Sequence, residues 1–180
     1  MAMEKKEIKP ATAGLIIGLV SIVLFLLYYF TGLIYHRDFT SFIPMAVSIV
    51  IIIVFINLWA KAKNNVVTYG SCFGYGFKSV CVAALIVFFF MVIFIYAFPD
   101  YKVHMLDVIK DQMNKNPKIT DDQRDKGLAM VSKMFVISTL GGSLFGNLFI
   151  GTIASLIGAA IPKKIQADPF SQINQIGEPQ

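Results

Sequence analysis

Four long apolar runs, separated by polar segments, dominate the chain. They cover residues 11–34, 42–60, 79–98 and 135–161. A helix rises 1.5 Å per residue, so each run is long enough to cross a hydrocarbon core of about 30 Å. The pattern predicts an all-α membrane protein with four transmembrane helices, forming a single domain over residues 1–164.

The connections between these runs predict how the helices follow one another. Pro10 and Pro44 fall in the expected first turns of spans one and two, where a residue without an N–H loses no hydrogen bond. Pro99 closes the third span because it cannot continue a helix. Since the segments that join spans one, two and three are short, we expect the four spans to form two hairpins.

The polar segment 100–133 between spans three and four has a helical pattern of its own. One side of a helix would carry apolar residues (Tyr101, Met105, Leu106, Val108, Ile109 and Met113), and the other would carry polar ones (His104, Asp107, Lys110, Asp111 and Asn114). This predicts an amphipathic extramembrane helix. After the break at Asn116-Pro117, Thr120 and Gln123 match a capping box. A second helix should start there and run into the last span.

Small residues form stripes on the first and last spans. Their positions, spaced so that they share a helix face, are Gly14, Gly18, Gly142, Ser143, Gly146, Asn147, Gly151 and Ser155. Small residues let helix backbones approach closely in a membrane. We interpret these stripes as helix-packing positions that form the seam of the bundle. The alternative is that Ser143, Asn147 and Ser155 face a pore formed by an oligomer.

Composition and charge agree with a membrane protein. The 180 residues are 56% hydrophobic and 15% charged, with mean hydropathy +0.67. Soluble domains are about 45–50% apolar and about 25% charged. The 16 Lys and Arg outnumber the 11 Asp and Glu, but they flank the apolar runs and form no dense patch. This distribution favours anionic lipid surfaces as partners and argues against nucleic acid.

Orientation follows from the basic residues beside the spans. Their numbers are equal on the two sides of the membrane. Lys5, Lys6 and Lys9 precede the first span, which usually dominates orientation, whereas the basic residues of segment 100–133 lie among acidic ones. We therefore expect both termini to be cytoplasmic. The polar segment 165–180 should be a disordered cytoplasmic tail.

The sequence offers little catalytic chemistry. The four spans contain no Asp, Glu, Arg or His, and the chain has no nucleotide-binding or hydrolase motif. We expect no enzymatic activity, no cofactor and no metal. His104, Asp107 and Asp111 share one face of the predicted outer helix and could supply metal ligands together with His36 and Asp38. A solvated polar face is the simpler interpretation.

Several of these features occur together in one known family. The relevant residues are Phe73, Gly76, Phe77 and Lys78 before a span, Tyr96 and Pro99 at its end, a charged helical insert, and Gly-Thr-Ile-Ala-Ser-Leu-Ile-Gly-Ala-Ala-Ile-Pro-Lys-Lys at 151–164. The chain resembles an uncharacterised bacterial four-span inner-membrane family catalogued as a domain of unknown function (4199 series). The resemblance runs from the first span to Lys164. It implies four spans and a bacterial cytoplasmic membrane, and it supplies no catalytic residue.

Three functional hypotheses follow. The first is a non-enzymatic membrane protein that packs with itself or an envelope protein, while its outer segment contacts lipid head groups. It predicts that Gly146→Leu or Gly151→Leu destabilises the bundle or its oligomer. The second is a small transporter or channel component acting as an oligomer, which requires a polar cavity between the spans. The third is a membrane enzyme or metal-binding protein that uses the face of His104, Asp107 and Asp111. Its metal site requires His104 and Asp107 close to His36 or Asp38.

Overall fold

The computed structural model describes residues 7–35, 39–115 and 120–162. Within these ranges the regular structure is helical. The helices are α1 (Pro10–Phe30), α2 (Ile43–Ala62), α3 (Tyr69–Ala97), α4 (Pro99–Asn114) and α5 (Asp121–Ala160), with short 3₁₀ turns at Leu33–Tyr35 and Phe39–Phe42 between α1 and α2. The predicted disordered tail, 165–180, lies outside the described residues.

Four helices in the described part of the chain are long and apolar enough to cross a membrane, namely α1, α2 with its preceding turn, α3 and α5. This confirms the predicted all-α fold with four candidate spans. The first helix is shorter than predicted because Gly32, with φ of 72°, takes the left-handed conformation that ends it. Helices α3 and α5 each extend beyond the apolar run at the N-terminal end, and for α5 this is the predicted helix that starts after Thr120 and continues into the last span.

Two capping boxes start the longest helices. The predicted box is confirmed: the Thr120 hydroxyl accepts from the Gln123 N–H at 3.4 Å, and the Thr120 N–H donates to the Gln123 side chain at 3.1 Å. A second box, which the sequence analysis missed, pairs Thr68 with Ser71 at the start of α3. These contacts satisfy N–H groups that lack partners within a helix. They explain why α5 and α3 begin where they do.

Helix α3 lies at the centre of the bundle. It packs along α1 on one side and along α5 on the other, and α2 packs mainly on α5. Contacts of α2 with α1 and α3 are fewer, although α1 and α2 are neighbours in sequence. The outer helix α4 packs against α5 and the end of α3.

Glycines permit the close approach of α1 to α3. A Cβ atom added at Gly14 would collide with the carbonyl oxygen of Ser79 and would lie 2.6 Å from the Cβ of Val82. At Gly18 it would lie 3.1 Å from the side chain of Ile86. Real Cβ atoms essentially never approach other atoms as closely as at Gly14, so that position has no room for a larger residue, whereas at Gly18 the Ile86 side chain would have to shift slightly.

The second close contact joins α5 to α3. A Cβ atom at Gly151 would collide with the side chain of Val80. The hydroxyl of Ser155, which is fully buried, lies 2.8 Å from the Cβ position of Gly76 on α3. Small residues thus face each other where α3 and α5 meet, as close packing in a membrane requires.

Two buried clusters fill the interior. The first lies where the glycine contacts bring the helices together, and we call it the lower core (Ala13, Ile17, Ile52, Ile56, Ala60, Cys72, Tyr75, Val80, Ala83, Ala154 and Ala159). The second contains Met91, Phe94, Ile95, Tyr101 and Phe135. Helix α4 contributes Tyr101, whose ring lies edge-on to those of Phe94 and Phe135 at 5.4 and 6.0 Å. Burial raises the pKa of Tyr101 to about 12.

The N-terminal segment is tied to the end of α2. Glu7 accepts a hydrogen bond from the Trp59 indole at 2.9 Å and pairs with Lys63 at 2.8 Å. The Trp59 ring also stacks on Tyr75 at 4.9 Å. Hydrogen bonds from Lys63 and Trp59 lower the pKa of Glu7. The start of α1 and the end of α2 therefore lie together at the lower-core end of the bundle.

Candidate functional site

The stripe of small residues on α5 divides into two parts. At Gly151 and Ser155 it packs tightly on α3, as described above. A Cβ atom added at Gly142 or Gly146 would meet nothing within 4 Å. Within the described chain, the tightly packed part of the stripe therefore begins at Gly151.

A cavity of about 430 Å³ lies where the helices separate. Helices α1, α2, α3 and α5 all contribute to it, at the end of the bundle that carries the α1–α2 connection. We call it the cleft. Its lining residues are Ser21, Leu24, Phe25, Tyr28, Leu33, Ile34, Ser41, Pro44, Met45, Ser48, Val87, Met91, Tyr101, Thr139, Ser143, Asn147 and Ile150.

Three polar side chains from three helices line the cleft on the side nearest the lower core, and that of Asn147 is exposed. Ser21 belongs to α1, Ser48 to α2 and Asn147 to α5. The same three residues also line an adjoining void of about 30 Å³. That void is large enough to hold a water molecule, which needs roughly 10–15 Å³. We call these three side chains the floor of the cleft.

Each floor residue donates a hydrogen to its own helix. Ser21, Ser48 and Asn147 donate to the carbonyl oxygen four residues earlier, at 2.8, 2.9 and 2.6 Å. Ser and Asn commonly bond this way in helices, because the backbone offers the nearest acceptor. A hydroxyl has two lone pairs and an amide oxygen has two. The floor consequently presents oxygen acceptors to the cleft, together with the second amide N–H of Asn147.

The walls of the cleft are apolar and its mouth is partly polar. Leu24, Met45, Val87, Met91 and Ile150 are among the wall residues, and none of the described lining residues is charged. At the mouth, the Tyr28 hydroxyl donates to the backbone oxygen of Thr40 at 2.8 Å, which fastens the second 3₁₀ turn to α1. The arrangement combines an acceptor-rich floor with an apolar interior.

The cleft is closed beneath its floor. Ile17, Ile52 and Val80, which border the small void, belong to the lower core and are at most 4% exposed. Below them the glycine contacts hold α3 against α1 and α5. The cleft therefore does not continue through these lower-core residues.

A separate crevice of about 210 Å³ lies between α4 and the start of α5. Its walls carry charges of both signs, including Lys110, Asp121, Arg124 and Asp125. Arg124 pairs with Asp121 at 2.7 Å. Because the charges are mixed and partly paired, this crevice has no clear preference for an anion or a cation.

The candidate metal ligands do not form a site in the described part of the chain. No group of three or more His, Cys, Asp or Glu residues there is placed to hold a metal ion. His104, Asp107 and Asp111 are exposed along α4, and the His104 ring lies 5.3 Å from that of Tyr35. The other proposed ligands, His36 and Asp38, lie outside the described residues.

Sequence reasoning found only part of the floor. It singled out Ser143 and Asn147 as packing positions and gave no role to Ser21 or Ser48. The available signal was that each floor residue is a polar residue inside an apolar run. Which faces of different helices meet is not encoded in the periodicity of any one helix, so the convergence itself appears only in the structure.

The described residues define an all-helical protein with four candidate membrane-spanning helices and an open cleft between them. Residues 12–164 match the family described as "Protein of unknown function (DUF4199)". Since the match covers most of the chain, the protein belongs to this family, which confirms the resemblance seen in the sequence. No curated protein and no solved structure matches the chain.

Proposed function

We propose that this protein is a non-enzymatic interaction protein of the bacterial cytoplasmic membrane that binds another molecule in the cleft. The observation that carries the proposal is the convergence of Ser21, Ser48 and Asn147 on one cavity. Ligand pockets are typically concave, mostly apolar and about 300–1,000 Å³ in volume, with a few convergent polar groups. The cleft has each of these properties.

The proposal includes a topology. Both termini are cytoplasmic, the spans follow one another as two hairpins, and the cleft opens toward the opposite side of the membrane. The three lysines before α1 support this orientation. The amphipathic helix α4 then lies on the outer surface. Its burial supports that position, because Tyr101 is buried whereas Asp107 and Asp111 are exposed.

The position of α4 on the membrane surface favours membrane lipid as a partner. A second copy of the chain or an envelope protein would be an additional partner. The part of α5 around Gly146 supports such packing, since a Cβ atom added at Gly142 or Gly146 would meet nothing within 4 Å in the described part of the chain and Phe145 beside them is 70% exposed. Flat glycine surfaces flanked by aromatics suit helix association in lipid.

Cysteine accessibility tests both the cleft and the orientation. Asn147→Cys in a chain carrying Cys72→Ala and Cys81→Ala should react with a membrane-impermeant maleimide added outside intact cells. Ser155→Cys is the matched control, because that side chain bonds its own helix in the same way but is fully buried in the lower-core end. It should react only after denaturation. Equal protection of both cysteines in intact cells and in opened membranes would disprove the open cleft, whereas labelling of Asn147→Cys only in opened membranes would reverse the orientation.

A second candidate function, a transporter or channel component working as an oligomer, is favoured by the small void that continues the cleft toward the lower core. This function needs a path through Ile17, Ile52 and Val80, which a single chain keeps buried. Flux of small uncharged solutes into proteoliposomes tests it. Flux no faster than in liposomes carrying a Ser48→Phe variant would eliminate this alternative.

A further inference from the structure

We infer that the cleft binds an uncharged amphiphile whose head group donates hydrogen bonds, such as a glycerol lipid with free hydroxyls. The head group lies on the floor and the hydrocarbon chain lies along the walls. This inference rests on the proposed binding function and adds the chemical class of the ligand. Three properties of the cleft carry it.

The first property is the polarity of the floor. Ser21 and Ser48 have already donated their only side-chain hydrogens to their own helices. Asn147 has donated one of two. A ligand that offers only acceptors would meet lone pairs almost everywhere on this floor. A ligand with two O–H groups could donate to two of these oxygens and accept from the second amide N–H of Asn147.

The second property is the lack of charge among the described lining residues. Moving an ion from water into a low-dielectric site costs several kcal/mol unless an opposite charge balances it. Phospholipid head groups and fatty-acid anions therefore lack a counter-ion here. A neutral head group has no such penalty.

The third property is the apolar lining above the floor. Leu24 on α1, Met45 on α2 and Met91 on α3 form walls suited to a flexible chain, because methionine adapts to irregular shapes. At the mouth, Tyr28 and Ser41 lie near the α1–α2 connection, where a bilayer would have its polar boundary. A lipid can therefore enter from the membrane without crossing the lower core.

The test uses the full chain in phosphatidylcholine nanodiscs and 1-O-octylglycerol as the probe. Its di-O-methyl ether keeps the shape but has no donor, and octanoate keeps the chain but adds a charge. Binding to the folded state raises the unfolding temperature. The diol should raise it, whereas the ether and octanoate should not. An equal rise with either analogue would overturn the ligand class.

Two variants connect the effect to the floor. Asn147→Leu should weaken binding of the diol roughly 3- to 10-fold, as expected for the loss of one hydrogen bond. Asn57→Leu is the matched control, because Asn57 bonds its own helix in the same way at 2.9 Å but lies outside the cleft. Ser48→Ala, which preserves the packing, provides a second test. Equal effects of Asn147→Leu and Asn57→Leu would refute the site.

The failures of the two proposals are distinguishable. If Asn147→Cys is accessible and the diol does not bind, the ligand class is wrong and the open cleft stands. If Asn147→Cys is as protected as Ser155→Cys, both proposals are wrong. The route of entry is tested by adding the diol either in solution or already dissolved in the nanodisc lipid. If the diol enters from the membrane, both additions should raise the unfolding temperature by the same amount.

Discussion

Gly151 and Gly146 occupy the same helix, five residues apart, yet their surroundings differ. A Cβ atom at Gly151 would lie 2.7 Å from one γ-carbon of Val80 and closer still to the other. At Gly146 it would meet nothing within 4 Å. We therefore expect Gly151→Ala to destabilise the bundle and Gly146→Ala to leave it unchanged or slightly more stable.

The size of the effect follows from two terms. Alanine is favoured over glycine in a helix by about 0.8–1.0 kcal/mol, and this gain applies to both variants. Forcing an extra methyl group into a packed interior costs about 1–3 kcal/mol. That cost applies only to Gly151→Ala, because Val80 is β-branched and has one strongly preferred rotamer in a helix. The two variants should therefore differ by about 1–3 kcal/mol in unfolding free energy.

Reversible unfolding in mixed micelles, followed by the fluorescence of Trp59, measures this difference. The chain has one tryptophan, so the signal has a single source. A difference of 1.4 kcal/mol changes the folding equilibrium about tenfold. Equal stability of the two variants would show that Val80 moves aside freely, and equal losses would show that Gly146 is packed by another molecule. Either result would refute the reasoning from the single chain.

Three other predictions concern the ends of helices and their attachments. Thr120→Ala removes a capping box and should cost about 1 kcal/mol, seen as faster hydrogen exchange in the first turn of α5. Tyr101→Ala should destabilise the bundle by about 3–5 kcal/mol and release α4, which limited proteolysis would detect. The lowered pKa of Glu7 means that its bonds to Lys63 and Trp59 persist above its ordinary pKa and are lost as the pH falls through the folded value. Fluorescence of Trp59 should follow that titration below the ordinary glutamate range, and Glu7→Gln should abolish it.

The helices themselves could be read from the sequence because local chemistry determines them. Apolar runs, Pro10 and Pro44 in first turns, and the capping box at Thr120 all appear where predicted. The end of α1 was misjudged, because the apolar run continues past Gly32 and only its positive φ marks the turn.

The site was harder to predict because it depends on relations between helices. Gly146 and Gly151 belong to one stripe of small residues, and the sequence treats them alike. They differ because a Cβ atom at Gly151 would meet Val80, whereas one at Gly146 would meet nothing within 4 Å among the described residues. In the same way, Ser21 and Ser48 belong to the floor because α1 and α2 both line the cleft, and no local sequence pattern specifies that arrangement.

The contrast between the closely packed lower core and the open cleft bears on function. In lipid, helices associate through close packing and hydrogen bonds, because lipid tails are as apolar as the helix surfaces. The glycine contacts at the lower core supply this packing, whereas the cleft leaves the walls without partner atoms and forfeits dispersion energy. The polar side chains of the floor add a desolvation cost unless hydrogen-bond donors reach their remaining lone pairs. A neutral ligand with hydroxyl groups removes both penalties at once, so occupation of the cleft should stabilise the bundle as well as define its function.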